Sequence, residues 1–126
     1  MNTHENKLKK WLDVIDQLGD QLTKNGIAHD QADTFVADNY GLLKKHGFLM
    51  VMIPNSLKGY GVSFTNMCAI LVRIAHYCSF TALALSMHQH LLAANIWKYK
   101  QEGTGEEFVK GVVDNKLMLV STGAHD

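Results

Sequence analysis

The chain has 126 residues, of which 47% are apolar and 19% are charged, which is enough for one domain with a hydrophobic core and too little for two. Twelve basic residues balance twelve acidic ones, so bulk electrostatics attracts the chain neither to nucleic acid nor to an anionic membrane. We therefore expect neither of these as a partner, and we expect any partner to be recognised by shape.

A first helix is predicted near the N-terminus. Six apolar residues recur there at three- and four-residue steps: Leu8, Trp11, Leu12, Ile15, Leu18 and Leu22. This spacing, with lysines and aspartates between the apolar positions, is typical of a surface helix with one buried stripe. Because glycine commonly follows the last helical residue, we expect this helix to end at Gly26.

A second helix is predicted to begin at Asp30, whose carboxylate can accept hydrogen bonds from the first free N–H groups. Its predicted inner face consists of Ala32, Phe35, Val36, Asn39, Tyr40 and Leu43. The basic run 44–46 precedes Gly47 and suits the negative end of the helix dipole. The next six residues, 48–53, are apolar throughout and end at Pro54, so they predict a buried connector.

Two longer helices are predicted after the loop 54–61. Ser63 is expected to cap the first of them, which runs to about Tyr77. Its apolar side comprises Phe64, Met67, Cys68, Leu71, Ile74, Ala75 and Cys78. Ser79 is expected to cap the second, which runs to about Lys100 and is apolar nearly all round, as a central helix would be. One stripe on it contains Leu83, Met87, Leu91, Ala94 and Trp97.

The last part of the chain predicts one short helix and then a change of character. Gly103 and Gly105 bracket a turn, and residues 106–113 form a helix with acidic residues in its first turn. Residues 117–120 look like the opening of a strand, for which the chain offers no partner strand, so that more protein is expected to follow. The sequence thus predicts an all-α bundle of about five to six helices with a short C-terminal extended segment.

The cysteines and the N-terminal residues indicate the cellular compartment of the protein. Cys68 and Cys78 lie in apolar runs without the C-x-x-C spacing of zinc or dithiol sites, so we expect reduced core residues and no metal site. The first ten residues are polar where a signal peptide would be apolar, and polar side chains interrupt the most apolar segment, 80–97. The sequence therefore favours a cytoplasmic protein without a membrane span.

Several short motifs follow one another along roughly residues 10–126. They are His29-Asp30 through Leu42, His46-Gly47-Phe48, Ile53-Pro54, Lys58-Gly59-Tyr60-Gly61-Val62-Ser63, Val72-Arg73-Ile74-Ala75, Ser79-Phe80-Thr81-Ala82-Leu83-Ala84-Leu85-Ser86-Met87-His88 and Gly105-Glu106-Glu107-Phe108. Each is common by itself, but their order and spacing resemble the N-terminal helical domain of the acyl-CoA dehydrogenase superfamily, which includes a flavin-dependent monooxygenase branch.

The resemblance implies a flavin-dependent oxidoreductase, usually a homo-oligomer, in which this domain forms one wall of the pocket for substrate and flavin. The cofactor would be FAD or FMN, and the substrate would be acyl-CoA or another small molecule. Residues 1–116 would be the N-terminal helical domain, and residues 117–126 would begin a middle β-domain. Because most flavin contacts and the usual carboxylate base would come from beyond this chain, we expect the chain alone to be inactive and to hold no flavin tightly.

Two departures from the family pattern leave the branch open. The run 121–126 falls where the family carries a Thr-Glu-containing flavin loop, but it has no glutamate. In the Pro54 loop, Lys58-Gly59 stands in place of a Gly-Gly-like pair. Both differences count against acyl-CoA oxidation and favour the monooxygenase branch.

Six residues are implied as pocket residues by the resemblance. Substrate would meet Tyr60, His88, Leu92 and Asn95, and the flavin would meet Ser121 and Thr122. His88 and His90 lie two positions apart, about 200° around a helix, so they are not expected to share a metal. For both histidines the alternative is a structural role, with an imidazole that is hydrogen-bonded inside the bundle or faces solvent.

A rival hypothesis comes from a different functional class. The chain could be a stand-alone helical module that binds a protein partner through its apolar faces and uses no flavin. Coding sequence that continues into a β-rich region would favour the enzyme, whereas a native stop after Asp126 would favour the module.

Overall fold

The computed structural model of the chain describes residues 3–120 and contains five α-helices. They are α1 (Thr3–Ala32), α2 (Ala37–Lys45), α3 (Phe64–Tyr77), α4 (Ser79–Glu102) and α5 (Glu106–Asn115). Two short 3-10 turns, Phe48–Met50 and Asn55–Leu57, lie between α2 and α3. No strand occurs within residues 3–120, which confirms the all-α fold, and residues 116–120 have no regular secondary structure. No helix in this part is long and apolar enough to cross a membrane.

The helices pack around a hairpin formed by α3 and α4, which are joined at Cys78. Helix α1 packs along α3, α2 contacts both α1 and α4, and α5 packs on α4 and on the two 3-10 turns. The core between these elements is formed by fully buried residues from each of them: Ile15, Leu22, Leu43, Ile70, Ile74, Leu85, Leu92 and Val112. Helix α4 contacts α2, α3 and α5, as predicted for a central helix, but only one of its sides is buried.

The connector 48–53 is buried, as predicted, although its first half is a 3-10 turn. Gly47 enters it with a φ of +85°, a left-handed conformation that glycine adopts without steric cost. Phe48 is fully buried and meets the Trp11 ring edge to face at a centroid distance of 5.0 Å. The connector thus crosses the bundle between α1, α4 and α5 instead of lying on its surface.

Helix α1 is longer than predicted, and the prediction that Gly26 ends it was wrong. Gly26 lies inside the helix, where a Cβ atom would come within 2.7 Å of Cys78 Sγ, and a Cβ on Gly19 would overlap the Tyr77 ring. Both glycines therefore permit the close approach of α1 to the C-terminal end of α3. Asp30 belongs to the last turn of α1 and does not cap α2.

Helix α2 is shorter than predicted. It begins at Ala37 without a side-chain cap, so Ala32, Phe35 and Val36 lie outside it, and Phe35 is exposed. Asn39 and Leu43 form its buried side, as expected.

Helix α3 has the predicted cap but a different buried side. The Ser63 hydroxyl accepts a hydrogen bond from the Asn66 amide at 3.1 Å. The buried residues are Met67, Ile70 and Ile74, whereas Phe64, Cys68 and Ala75 from the predicted apolar side are exposed. Both sides of α3 are apolar, so periodicity alone could not select the side that α1 and α4 cover. Of the two free cysteines, Cys78 is buried, and Cys68 is not the core residue that we expected.

Helix α4 differs from expectation in its cap and in its orientation. Cys78 is the residue before the helix, and no side chain caps it, so Ser79 is the first helical residue and not the cap. The predicted stripe of Leu83, Met87, Leu91, Ala94 and Trp97 lies on one side, but that side is largely exposed to solvent.

Candidate functional site

The exposed side of α4 carries several large apolar side chains. Four of the five residues of the predicted stripe are exposed, and they are here called the α4 stripe: Leu83, Met87, Ala94 and Trp97. Leu83 is 73% exposed, Trp97 is 59% exposed and Met87 is 45% exposed. Since large apolar side chains in a row are uncommon on stable monomers, this surface is a candidate contact surface.

The C-terminal half of the α4 stripe borders a groove between α4 and the start of α3. The groove has a volume of about 440 Å³ and is mainly lined by apolar residues, among them Met52, Val62, Phe64, Ala93, Ile96 and Trp97. His90 and Lys100 are its two basic residues, and no carboxylate lines it. Its volume lies within the range of small-molecule sites, roughly 300–1,000 Å³.

None of the four predicted substrate residues lines this groove. Tyr60 is 43% exposed and meets the Trp11 ring edge to face at 5.0 Å. Asn95 is partly buried, and its Nδ2 donates to the Leu91 carbonyl at 2.9 Å. Leu92 is fully buried. The predicted flavin residues Ser121 and Thr122 lie outside the described residues.

His88 is fully buried, and both of its ring nitrogens are hydrogen-bonded to backbone. Nδ1 accepts the Leu119 N–H at 2.9 Å, so the proton must be on Nε2, which donates to the Leu49 carbonyl at 3.0 Å. Burial lowers the pKa of His88, and the hydrogen bond to Leu49 opposes that shift. The imidazole therefore links the connector to segment 117–120, and neither nitrogen is free for a ligand in this conformation.

Gln89 is a buried polar residue that sequence reasoning missed. Its Nε2 donates to the Phe48 carbonyl at 2.8 Å, next to the carbonyl that His88 binds. Within the described residues its Oε1 is buried without a hydrogen-bond partner. Three consecutive polar residues, 88–90, interrupt this apolar helix, and the first two are buried with nonlocal backbone partners whereas His90 is exposed.

A second buried polar group joins α1, α2 and α4. Asn39 Nδ2 donates to the Leu22 carbonyl at 3.0 Å and to Thr81 Oγ1 at 2.9 Å. Asn25 Nδ2 donates to Asn39 Oδ1 at 3.0 Å, and the Thr81 hydroxyl donates to Cys78 Sγ at 3.1 Å. The polar groups of this cluster are hydrogen-bonded to one another or to backbone, so the cluster is a structural link between three helices.

On the surface, Asp16 links α1 to α3. Its carboxylate accepts hydrogen bonds from the Tyr77 hydroxyl and from Arg73 Nη1, each at 2.7 Å. The Tyr77 hydrogen bond, and then that from Arg73, holds the pKa of Asp16 below its ordinary value. In the described part of the chain, no cluster of three or more His, Cys, Asp or Glu side chains could hold a metal ion.

Comparisons with known proteins gave one finding. The family model for the N-terminal domain of acyl-CoA dehydrogenase matches residues 13–116, which is most of the chain. A search of curated proteins and a search of solved structures each found no match.

Proposed function

The chain belongs to the acyl-CoA dehydrogenase superfamily as its N-terminal helical domain, and on this premise we propose that it forms one wall of the substrate and flavin pocket of an oxidoreductase. The observation that carries the proposal is the α4 stripe. Leu83 and Trp97 are large apolar side chains that are exposed in this chain, and such a surface favours contact with another domain or a ligand. The rest of the pocket would come from a β-domain that begins at residue 117.

The chemistry of the α4 stripe suits part of such a pocket. An isoalloxazine ring or an acyl chain needs an apolar surface that excludes water, and the stripe with its groove supplies one. The phosphates of FAD, FMN or CoA need cationic or N–H donors, which the stripe itself does not offer. The flavin supplies the redox chemistry when bound. In this proposal the chain shapes the pocket and excludes water, and none of its described side chains is assigned as acid or base.

The predicted pocket residues take different parts in this proposal. Tyr60 and Asn95 keep accessible surface and could contact substrate directly. His88 and Leu92 are buried and would hold α4 in place through their contacts with the core. Ser121 and Thr122 remain the proposed flavin contacts. We also propose a cytoplasmic homo-oligomer with acyl-CoA or another small molecule as substrate.

The test uses the full-length gene product that contains this chain. Flavin absorbance and turnover with acyl-CoA and with reduced flavin plus oxygen are measured for wild type and for Met87→Lys on the α4 stripe. Phe108→Lys is the matched control, because Phe108 is also exposed but lies on α5. We expect Met87→Lys to lower flavin content or turnover about tenfold or more and Phe108→Lys to change neither. Unchanged flavin content and kinetics in Met87→Lys would contradict the proposal.

The same stripe also favours the second candidate, a helical module that binds a protein partner without flavin, because an exposed apolar helix face suits such docking. A gene product that ends at Asp126, or a full-length product that binds neither FAD nor FMN, would support this module over the enzyme.

A further inference from the structure

We propose that the groove between α4 and the start of α3 binds an elongated apolar molecule with an anionic group at one end, of the chemical class of a medium-chain carboxylate. The anionic group would lie at Lys100, and the apolar body would lie along α4 toward His90. This inference goes beyond the proposed function, because it concerns a ligand that the residues of this chain bind by themselves. The ligand also differs from an acyl thioester, whose carbonyl group has no charge.

The first observation is the shape of the groove. Its lining residues on α4 span positions 90–100, and an α-helix rises about 1.5 Å per residue, so the groove extends about 15 Å along the helix. Ala93 and Ala94 contribute small side chains to the lining, whereas Phe64 and Trp97 are large and more than half exposed. The described part of the chain does not fill the space beside these two rings. An elongated ligand suits this shape.

The second observation is the apolar character of the groove between its ends. Met52, Val62 and Ile96 lie in the lining and are themselves buried, so they give the groove an apolar base. Ser63 also lines the groove, but its hydroxyl already accepts a hydrogen bond from the Asn66 amide at 3.1 Å. Transfer of an alkyl chain from water to such a surface is favourable. The middle of the groove therefore suits the apolar body of a ligand.

The third observation is the charge of the groove. Lys100 and His90 are its two basic residues, and no carboxylate lines it. With histidine counted as neutral, Lys100 gives the lining a single positive charge. Within residues 3–120, Lys100 makes no ion pair, whereas Lys9 and Lys110 are each paired with a carboxylate one helical turn away. A cation without a counter-ion at one end of an apolar groove favours a ligand with a negative charge at that end.

The experiment titrates the chain with three molecules that share a ten-carbon chain and differ in charge: decanoate, 1-decanol and decyltrimethylammonium. Isothermal titration calorimetry measures the Kd of each. Of the two tryptophans, Trp97 lines the groove and Trp11 does not, so binding in the groove should change the Trp97 emission. We expect decanoate to bind about fivefold more tightly than 1-decanol, as an ion pair at a solvent-exposed site allows, and the cation to bind least tightly.

Substitution of Lys100 tests the anionic end of the ligand. Lys100→Gln removes the charge and should weaken decanoate binding about fivefold while the Kd of 1-decanol stays unchanged. Lys98→Gln is the matched control, because Lys98 is exposed on the same helix but does not line the groove. It should leave the Kd of both ligands unchanged.

Substitution of Ala94 tests the apolar end of the ligand. Ala94→Phe places a large ring in the groove at an exposed position, so it should remove detectable binding of decanoate and of 1-decanol without unfolding the chain. Ala75→Phe is the matched control, because Ala75 is exposed on α3 outside the groove. Far-UV circular dichroism verifies that both variants keep the helical fold.

Three results would overturn the inference. They are no binding of decanoate by the folded wild-type chain, equal Kd values for the anion, the alcohol and the cation, and an equal effect of Lys100→Gln and Lys98→Gln on decanoate. Binding that Ala94→Phe does not weaken would likewise place the ligand outside the groove and overturn the inference. None of these results bears on the flavin pocket, which Met87→Lys tests, because Met87 does not line the groove.

Discussion

The two faces of α4 both depart from the usual distribution, because polar side chains lie among the apolar residues of the buried face and large apolar side chains lie on the exposed face. The buried face contains Thr81, His88 and Gln89, each of which is hydrogen-bonded to another element. The exposed face carries the α4 stripe, with Leu83 and Trp97 largely open to solvent. The comparison shows that burial on this helix follows the partners available to each side chain. A polar residue is buried where another residue offers it a hydrogen-bond partner, and an apolar residue is exposed where the described part of the chain has nothing to cover it.

The largest expected difference between the faces comes from the same substitution on each. Leu92→Ala removes a fully buried side chain and should cost about 2–5 kcal/mol of unfolding free energy, whereas Leu83→Ala should change it by less than about 0.5 kcal/mol. Urea unfolding of the two variants measures this. Equal losses would mean that Leu83 is covered in solution, for example by a second copy of the chain.

A smaller effect is expected from the polar part of the buried face. Thr81→Val keeps the shape but removes the hydroxyl that accepts from Asn39, so one buried N–H loses its partner at a cost of about 1–3 kcal/mol. Thr65→Val on the exposed side of α3 should cost less than about 0.5 kcal/mol. Thermal unfolding compares them. Equal stabilities would show that water replaces the Thr81 hydroxyl.

The buried face should also make stability depend on pH. Burial lowers the pKa of His88 in the folded state, so the unfolded chain binds a proton first as the pH falls. The neutral imidazole therefore contributes fully to the free energy of unfolding above about pH 6.5. This contribution is lost as the pH falls from about 6.5 toward the lower pKa of His88 in the folded state. His88→Asn should remove this loss of stability, and His90→Asn should keep it. Denaturant midpoints between pH 7.5 and pH 5 provide the test.

The smallest effect on stability, but a clear one on association, is expected on the exposed face. The α4 stripe should cause the isolated chain to self-associate, and Leu83→Lys should shift it toward monomer while the unfolding free energy changes by less than about 0.5 kcal/mol. Sedimentation velocity measures the distribution, with Phe108→Lys as the exposed apolar control on α5. A wild-type chain that is monomeric at high concentration would contradict this.

The order of the elements could be predicted because its signals are local. Pro54 and the glycines 103 and 105 mark turns by their own backbone preferences. Ser63 caps α3 because its hydroxyl accepts the amide N–H of the residue three positions later. Each of these signals acts within a few residues, so the sequence alone carries it. The limits of α3 and α5 followed from such signals to within two residues.

The remaining features depend on residues that are distant in sequence. The sides of α3 and α4 that face the core could not be predicted, because both helices are apolar on more than one side and only packing selects between them. The His88 contacts likewise join residues 88, 49 and 119, whose proximity is a property of the fold. A hydrogen-bonded structural role for His88 was one of the alternatives in the sequence analysis, but its two partners could not be predicted.

The glycines of α1 reverse a common rule for stabilising helices. Replacing a helical glycine by alanine normally gains about 0.8–1.0 kcal/mol, and Gly41 in α2, where an added methyl group would have no neighbouring atom within 4 Å, should follow that rule. At Gly19 and Gly26 the same methyl group would strike Tyr77 or Cys78. Tyr77 is held by its bond to Asp16 and cannot easily move away. The low helix propensity of α1 at these two glycines is therefore required for its close packing on α3. The same close contacts limit how far α1 can slide along α3.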